Sequence, residues 1–213
     1  MDQLDAAAEV PADFQAQYDG EGPARRLRKL RRLLWNEPDL YGPMLNRAGV
    51  TDLAEAVVDQ QAVAVFHAAF LKPARIGTHV APHQDQALWS KWYPGAFSVW
   101  FALTDVVSRN GGLYGFPGSH AGGVIPHQDD PAHPWHETLN HTIARLGAAH
   151  QFELAPGEAV MWDRCFVHGS EANVSDKDRR GMVLVFADGS ANDFDAIDAM
   201  PLQQIHALGG ASR

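Results

Sequence analysis

Two short segments lie far apart in this chain yet carry the residue types of one metal face: His83-Gln84-Asp85, and Phe166-Val167-His168-Gly169-Ser170. Two imidazoles and one carboxylate suit a mononuclear Fe(II), bound on one face with the opposite positions open. Eleven residues past His168 stands Arg179, whose planar fork matches a carboxylate. For His83, Asp85 and His168 to share a metal, segments 85 residues apart must meet. That demands a fold in which strands distant in sequence converge.

The apolar pattern supplies such strands. Val63, Val65 and Phe66 through Phe70 suggest one, and residues 75–83 another. Residues 96–103 are apolar and aromatic, as a buried strand is. Residues 112–116 follow a turn at Asn110-Gly111. Residues 119–135 read as a loop and residues 136–146 as a short helix. Strands return at 150–154, 159–167 and 181–187. Helices are expected first. Leu27, Leu30, Leu33 and Leu34 recur at helical spacing, Pro38 interrupts, and a second short helix runs to about Arg47. Thr51-Asp52 reads as the start of a third. Residues 1–20 lack a period and are expected to be a flexible tail. Residues 21–213 then form a single domain, with strands concentrated in 61–188. A chain of 213 residues can bury about 70% of its unfolded surface, enough for an independent core.

Charge narrows the partners. The net charge is −9, with 26 acids against 17 bases, which argues against nucleic-acid or membrane-surface binding. Six of the 17 bases nevertheless fall between Arg25 and Arg32, on what the spacing predicts is a solvated helix face or a subunit contact. The one cysteine, Cys165, permits no intrachain disulfide. Three residues before His168, it is expected on the other sheet face as a buried structural thiol. The acidic N-terminus lacks the apolar core of a signal peptide, and no apolar run approaches the ~20 residues of a membrane span. A cytoplasmic monomer or homodimer acting on a small molecule is the resulting expectation.

The wording of two stretches carries a resemblance. Residues 100–120 read WFALTDVVSRNGGLYGFPGSH, and residues 168–180 read HGSEANVSDKDRR. With the preceding H-x-D, their order resembles the phytanoyl-CoA dioxygenase family of Fe(II)/2-oxoglutarate oxygenases over about residues 61–188. The resemblance implies a mainly β fold with flanking helices: a double-stranded β-helix, or jelly-roll, with N-terminal helices packed on one sheet. It implies Fe(II) on His83, Asp85 and His168, with 2-oxoglutarate and O₂ as co-substrates. It assigns the distal carboxylate of 2-oxoglutarate to Arg179 rather than Arg180, with Ser170 and Trp100 lining that pocket. Trp100 is equally readable as a core aromatic, and Asn173 and Ser175 as turn formers. Related halogenating enzymes lack the carboxylate ligand, so Asp85 implies hydroxylation or another C–H oxidation. A non-catalytic jelly-roll binding protein and a cupin-type metalloenzyme without 2-oxoglutarate remain the alternatives.

The chain also holds competitors for the metal. His-Gln-Asp occurs a second time at His127-Gln128-Asp129, among Pro126, Asp130, Pro131 and Pro134. No regular strand is expected there, and a metal site needs a fixed set of ligands, so this copy is assigned to a solvated loop. His133, His136 and His141 could form a zinc site but read as loop histidines. His67 and His79 read as packed, hydrogen-bonded strand residues. Near the expected mouth, Trp89, Trp92 and Tyr93 offer an apolar wall or simple packing. Arg75 and Lys91 could meet an anionic group, and the family resemblance implies a CoA phosphate site as a third reading of the basic helix at 25–32, beside a solvated face or a subunit contact.

Overall fold

The computed structural model describes residues 10–59, 61–89, 92–131, 136–139, 145–191 and 199–209. In chain order the strands are β1 Gln17–Asp19, β2 Arg26–Arg31, β3 Ala62–Lys72, β4 Val80–His83, β5 Phe97–Ala102, β6 Leu113–Gly115 and β7 His127–Asp129. They continue as β8 Glu137–Leu139, β9 His150–Gln151, β10 Ala159–Asp163, β11 His168–Ser170, β12 Arg179–Asp188 and β13 Met200–Pro201. The helices are α1 Leu33–Asn36, α2 Pro38–Arg47, α3 Val50–Val58, α4 Asp85–Leu88 and α5 Leu202–Gly209. The major sheet runs β1-β2-β3-β12-β5-β10, with β13 beside β3, and the minor sheet runs β4-β11-β6-β9. The protein is mainly β with few helices, and both sheets line one cavity.

β12 shows how one strand serves two layers. Leu184 and Phe186 point to one face and pack with Leu34, Leu45, Ala54 and Ile205, so the helices cover that side. Val183 and Val185 point to the other and pack with Trp100, Leu113 and Trp162. A strand buried on both faces reads as a continuous apolar run. Each such Leu, Val or Phe stabilises the fold by about 1.5–3 kcal/mol.

Residues 25–34 correct the helical expectation. Arg26–Arg31 is a strand, the backbone turns left-handed at Arg32 (φ 61°), and only then does α1 begin. The leucine spacing has a different origin. Gln17 lies opposite Lys29 but Tyr18 lies opposite Leu27, so Arg28 is an extra, bulged residue. A bulge lets positions three apart share a face. Leu27 and Leu30 accordingly bury together with Ala69, Leu71 and Met182. Lys29 and Arg31 sit opposite Phe70 and Ala68 and face the cavity. Arg28, Lys29 and Arg31 therefore line a cavity from a strand, while Arg25 and Arg26 stay exposed, and no solvated helix face forms.

Smaller corrections follow the same logic. Gln17–Asp19 is a strand paired with β2, so the expected tail already contains sheet; residues 1–9 lie outside the described set. α3 starts at Val50 after left-handed Gly49 (φ 69°), and Thr51 donates from its first turn to Asn46 Oδ1 at 2.9 Å. β4 starts at Val80, not at Arg75, which turns left-handed (φ 66°) and pairs with Asp176 on the surface. Glu137–Leu139 is a strand rather than part of a helix, and it pairs with His127–Asp129, where a loop was expected. Cross-strand bonds override the prolines that flank this hairpin.

Gly181 in the middle of β12 is required by contact rather than by backbone angle. A Cβ there would lie 1.9 Å from the Trp100 indole. Gly181→Ala is expected to destabilise the protein by about 1–3 kcal/mol through overpacking. An unchanged denaturant midpoint would show that Trp100 yields freely.

Candidate metal centre

β4 and β11 are neighbours in the minor sheet, with His168 directly opposite His83. Asp85 follows on the first residue of α4, where the chain leaves β4. Candidate ligand atoms of His83, Asp85 and His168 lie within 4.8 Å of one another. Asp85 Oδ1 stands 3.8 Å from His83 Nε2 and 3.7 Å from His168 Nε2. Long-range strand pairing thus closes the gap of 85 residues.

Every other polar atom of the three side chains is occupied. His83 Nδ1 bonds the Ala81 carbonyl at 2.9 Å, and His168 Nδ1 bonds the Phe166 carbonyl at 3.1 Å. Each Nδ1–H therefore donates, which leaves each Nε2 with its lone pair toward the centre. Asp85 Oδ2 accepts from Ser98 Oγ at 2.6 Å and from Trp162 Nε1 at 2.9 Å, leaving Oδ1 to face the imidazoles. Burial, then the neighbouring His168 and His136 rings, hold His83 well below the usual imidazole range, in its neutral form. Two imidazole nitrogens and one carboxylate oxygen, each side chain held by a second hydrogen bond, fit a divalent transition metal.

Gln84, between two of these residues, is wholly buried and holds the segment in place. Its amide donates to the Gly123 and Cys165 carbonyls and accepts from the Ile125 N–H. Its backbone N–H donates to His127 Nε2 at 2.9 Å, while His127 Nδ1 bonds the Ile125 carbonyl. The second His-Gln-Asp thus braces the first and is no solvated loop. His136 lies closer still, its ring centroid 4.5 Å from that of His83. His133 and His141 lie outside the described residues.

Arg179 is 2% exposed and stacks over Trp100 at 5.3 Å. Its Nη2 donates to the Gly111 carbonyl at 2.8 Å. Its Nε and Nη1 are buried donors with no hydrogen-bond partner among the described residues. Burial pulls Arg179 from 12.5 to about 9. Arg180 points the other way, half-buried, 3.7 Å from Asp178. Ser170 is buried and lines the same cavity, as does Trp100. Lys72, opposite Arg179 across the β3–β12 pairing, joins them and donates to the Ser170 and Glu171 carbonyls. Burial first, then the Arg179 charge, draws its ammonium down to about 6.

Other candidates fall elsewhere. Trp89 lines the cavity, but Trp92 is exposed under Arg164. Lys91 lies outside the described residues. Asn173 spans the Lys72 and Lys177 carbonyls as a turn brace, and Cys165 is a buried free thiol. His67 is buried edge-on to Tyr41, with neither ring nitrogen hydrogen-bonded among the described residues, contrary to expectation. Gln84, Ser98, Trp162 and Lys72 were not singled out from sequence. Each acts through a partner more than ten residues away, which leaves no local pattern.

Comparison with known proteins gives the family. A sequence model of the phytanoyl-CoA dioxygenase (PhyH) family matches residues 1–181. The chain belongs to that family. The match reaches the N-terminal strands, well beyond the expected 61–188. Phytanoyl-CoA dioxygenase domain-containing protein 1 of Bos taurus is 31% identical over 103 residues, 48% of this chain and 35% of that protein. A homologue from Dictyostelium discoideum is 29% identical over 127 residues, 55% of this chain and 44% of that one. The chain thus spans less than half the length of these relatives in the match. Among solved structures, EvdO2 from Micromonospora carbonacea var. aurantiaca complexed with 2-oxoglutarate has a TM-score of 0.70 and 25% identity, covering 95% of this chain and 83% of its own. EctD from S. alaskensis with bound Fe shares the fold, with a TM-score of 0.70, 21% identity, and coverage of 92% and 68%.

His83→Ala is expected to abolish stoichiometric metal binding, measured by Co(II) titration, whereas His127→Ala retains it. Ser98→Ala and Trp162→Phe should each lower affinity about 10–100-fold by freeing the carboxylate to turn. Stoichiometric metal in the His83→Ala protein would refute the ligand assignment.

Proposed function

We propose that this protein is an Fe(II)- and 2-oxoglutarate-dependent dioxygenase that hydroxylates, or otherwise oxidises, an unactivated C–H bond of a small organic molecule. One observation carries the reading. A single cavity of about 500 Å³ holds both the His83, Asp85 and His168 donors and the Arg179 donors that have no hydrogen-bond partner among the described residues. That volume suits a small molecule. In this reading the three donors hold Fe(II), and Arg179 receives the distal carboxylate of 2-oxoglutarate, with Ser170, Trp100 and Lys72 around it. The two sheets flanking the cavity form a double-stranded β-helix, and residues 21–213 act as one oxygenase domain. The family membership and the likeness to EvdO2, solved with 2-oxoglutarate, support it.

Bound Fe(II) supplies O₂ activation, coupling conversion of 2-oxoglutarate to succinate and CO₂ with insertion of the second oxygen atom into the substrate. The chain's own residues position the reactants. Arg179 offers a fork whose donors are already desolvated, so a carboxylate gains charge-assisted bonds there without first displacing a protein partner. Ser98 and Trp162 hold Asp85 in one orientation. Phe66, Phe70, Trp89 and Val185 supply an apolar lining that excludes water. Asp85 also shapes the outcome, because its carboxylate fills the position a halide would need and repels a second anion. Fe(II)-dependent formation of succinate from 2-oxoglutarate tests the whole reading. A binding protein, or a metalloenzyme of another kind, yields none.

Arg179→Ala should weaken 2-oxoglutarate binding by about 3–5 kcal/mol, the cost of leaving a buried charge unpaired. That is roughly two to four decades in Kd. Arg180→Ala, on the outer face, should change it little; equal effects would contradict the assignment. With the oxidised substrate identified, mass spectrometry should show oxygen insertion or dehydrogenation even in high chloride, and a chlorinated product would contradict the role of Asp85.

A further inference from the structure

Lys72 lines the cavity beside Arg179 and is built in as firmly as the arginine. The two residues face each other across the β3–β12 pairing, and both meet Gly111. Arg179 Nη2 donates to the Gly111 carbonyl at 2.8 Å, while a Cβ on Gly111 would lie 2.5 Å from Lys72 Cδ. On the other side, a Cβ on Gly77 would lie 2.8 Å from Lys72 Cβ. The lysine stem therefore runs in a slot that two glycines leave open. Asn173 holds the Lys72 carbonyl at 2.8 Å. With stem and backbone both fixed, the ammonium keeps one place.

An ammonium has three donors. Two of them go to the Ser170 and Glu171 carbonyls, where β11 ends. Among the described residues the third has no acceptor. The carboxylates whose charge reaches Lys72 are held elsewhere. Asp19 is engaged by Arg28 at 3.7 Å and by Thr78 Oγ1 at 3.1 Å, and Glu171 is exposed. Arg28 and Arg179 add positive charge around the same ammonium. Arg179 Nε and Nη1 likewise have no hydrogen-bond partner among the described residues. Two buried cations on paired strands thus offer unused donors to one end of the cavity, beside Ser170.

We propose that Lys72 is a specificity-determining residue of the co-substrate pocket: two of its donors clamp β11 to β3, and the third joins Arg179 on the far carboxylate of a 2-oxo acid. The pocket then selects 2-oxo dicarboxylic acids over monocarboxylic acids of the same length. The proposal rests on the oxygenase reading for the identity of the ligand, but the two-cation pocket stands on the Lys72 geometry. Burial, then the Arg179 charge, draws the ammonium down to about 6, and a carboxylate between the cations offsets both. The clamp also ties the pocket to the metal centre, because Ser170 and His168 share β11.

Calorimetric titration of the Zn(II)-loaded full chain tests this without turnover. The probes are 2-oxoglutarate and 2-oxovalerate, which has the same carbon chain but ends in a methyl group. The native protein should bind 2-oxoglutarate about a hundredfold or more tighter. Lys72→Met should cut that preference about tenfold or more, as loss of a charge-assisted contact implies, while 2-oxovalerate binding holds within about threefold. Lys72→Arg, which keeps the charge, should recover the preference relative to Lys72→Met. A merely structural role would weaken both ligands alike, and that result overturns the proposal. So does a preference left unchanged in Lys72→Met. If these variants do not fold, the native protein decides. The chain has four lysines, so carbon-13 labelling at lysine Cε gives NMR signals few enough to identify Lys72 by replacing the other three in turn. 2-Oxoglutarate should shift the Lys72 signal and 2-oxovalerate should not; a signal that answers to neither, or to both equally, overturns the inference. Fe(II)-dependent succinate formation by the native protein is scored separately. A preference lost in Arg179→Ala but kept in Lys72→Met refutes only this inference. A preference lost in Lys72→Met, with no succinate from the native protein, refutes only the oxygenase reading.

Discussion

The hydrogen bonds from Ser98 and Trp162 to a single oxygen of Asp85 tie the candidate centre together. Ser98 and Trp162 sit opposite each other on β5 and β10 of the major sheet. His83 and His168 sit opposite each other on β4 and β11 of the minor sheet. Asp85 is the one donor that answers to both. Its Oδ2 is held by the major sheet while its Oδ1 faces the imidazoles of the minor sheet. If the sheets shift, the donor set opens. The helices on the outer face of the major sheet and the Gln84 network behind the minor sheet are what keep that spacing. A carboxylate with a single orientation also has less conformational freedom to lose on binding a metal.

The cavity's electrostatics follow from its cations. Arg179, Lys72 and Lys29 are all drawn to lower pKa by desolvation. A protein with a net charge of −9 has nevertheless placed cations around one cavity and left two Arg179 donors without hydrogen-bond partners among the described residues. Unpaired buried charge destabilises the free protein. An anionic ligand that neutralises it gains in affinity what the fold gave up, and the chain's acidic exterior does not weaken that attraction at short range. Aromatic faces at Trp100, Phe66 and Phe70 limit the strain.

The metal-binding segments were legible because their chemistry is local. An H-x-D needs only the turn from β4 into α4, and the fixed offset from His168 to Arg179 follows from one loop leading into β12. Two-residue alternation then separates Arg179 from Arg180. The central strands were legible for a similar reason, since β3, β5 and β12 are apolar runs buried on both faces. The β2 segment was not. A bulge at Arg28 gave Leu27 and Leu30 a helical spacing inside a strand. The β7–β8 hairpin was hidden because its strands are short and its prolines suggest a loop.

By itself the sequence determined which groups could bind a metal and a carboxylate, and that β-strands would carry them. Ligand type, strand alternation and the Arg179 offset are properties of the covalent chain. Tertiary structure alone decided what surrounds them. Ser98, Trp162 and His127 became supports, and Lys72, Lys29 and Arg31 became cavity walls, through hydrogen bonds and pairings between residues far apart in the chain. No local pattern encodes such a contact, because its partner is chosen by how the sheets pack. The same packing turned three residues of a basic run that reads as a solvated helix into part of the cavity lining.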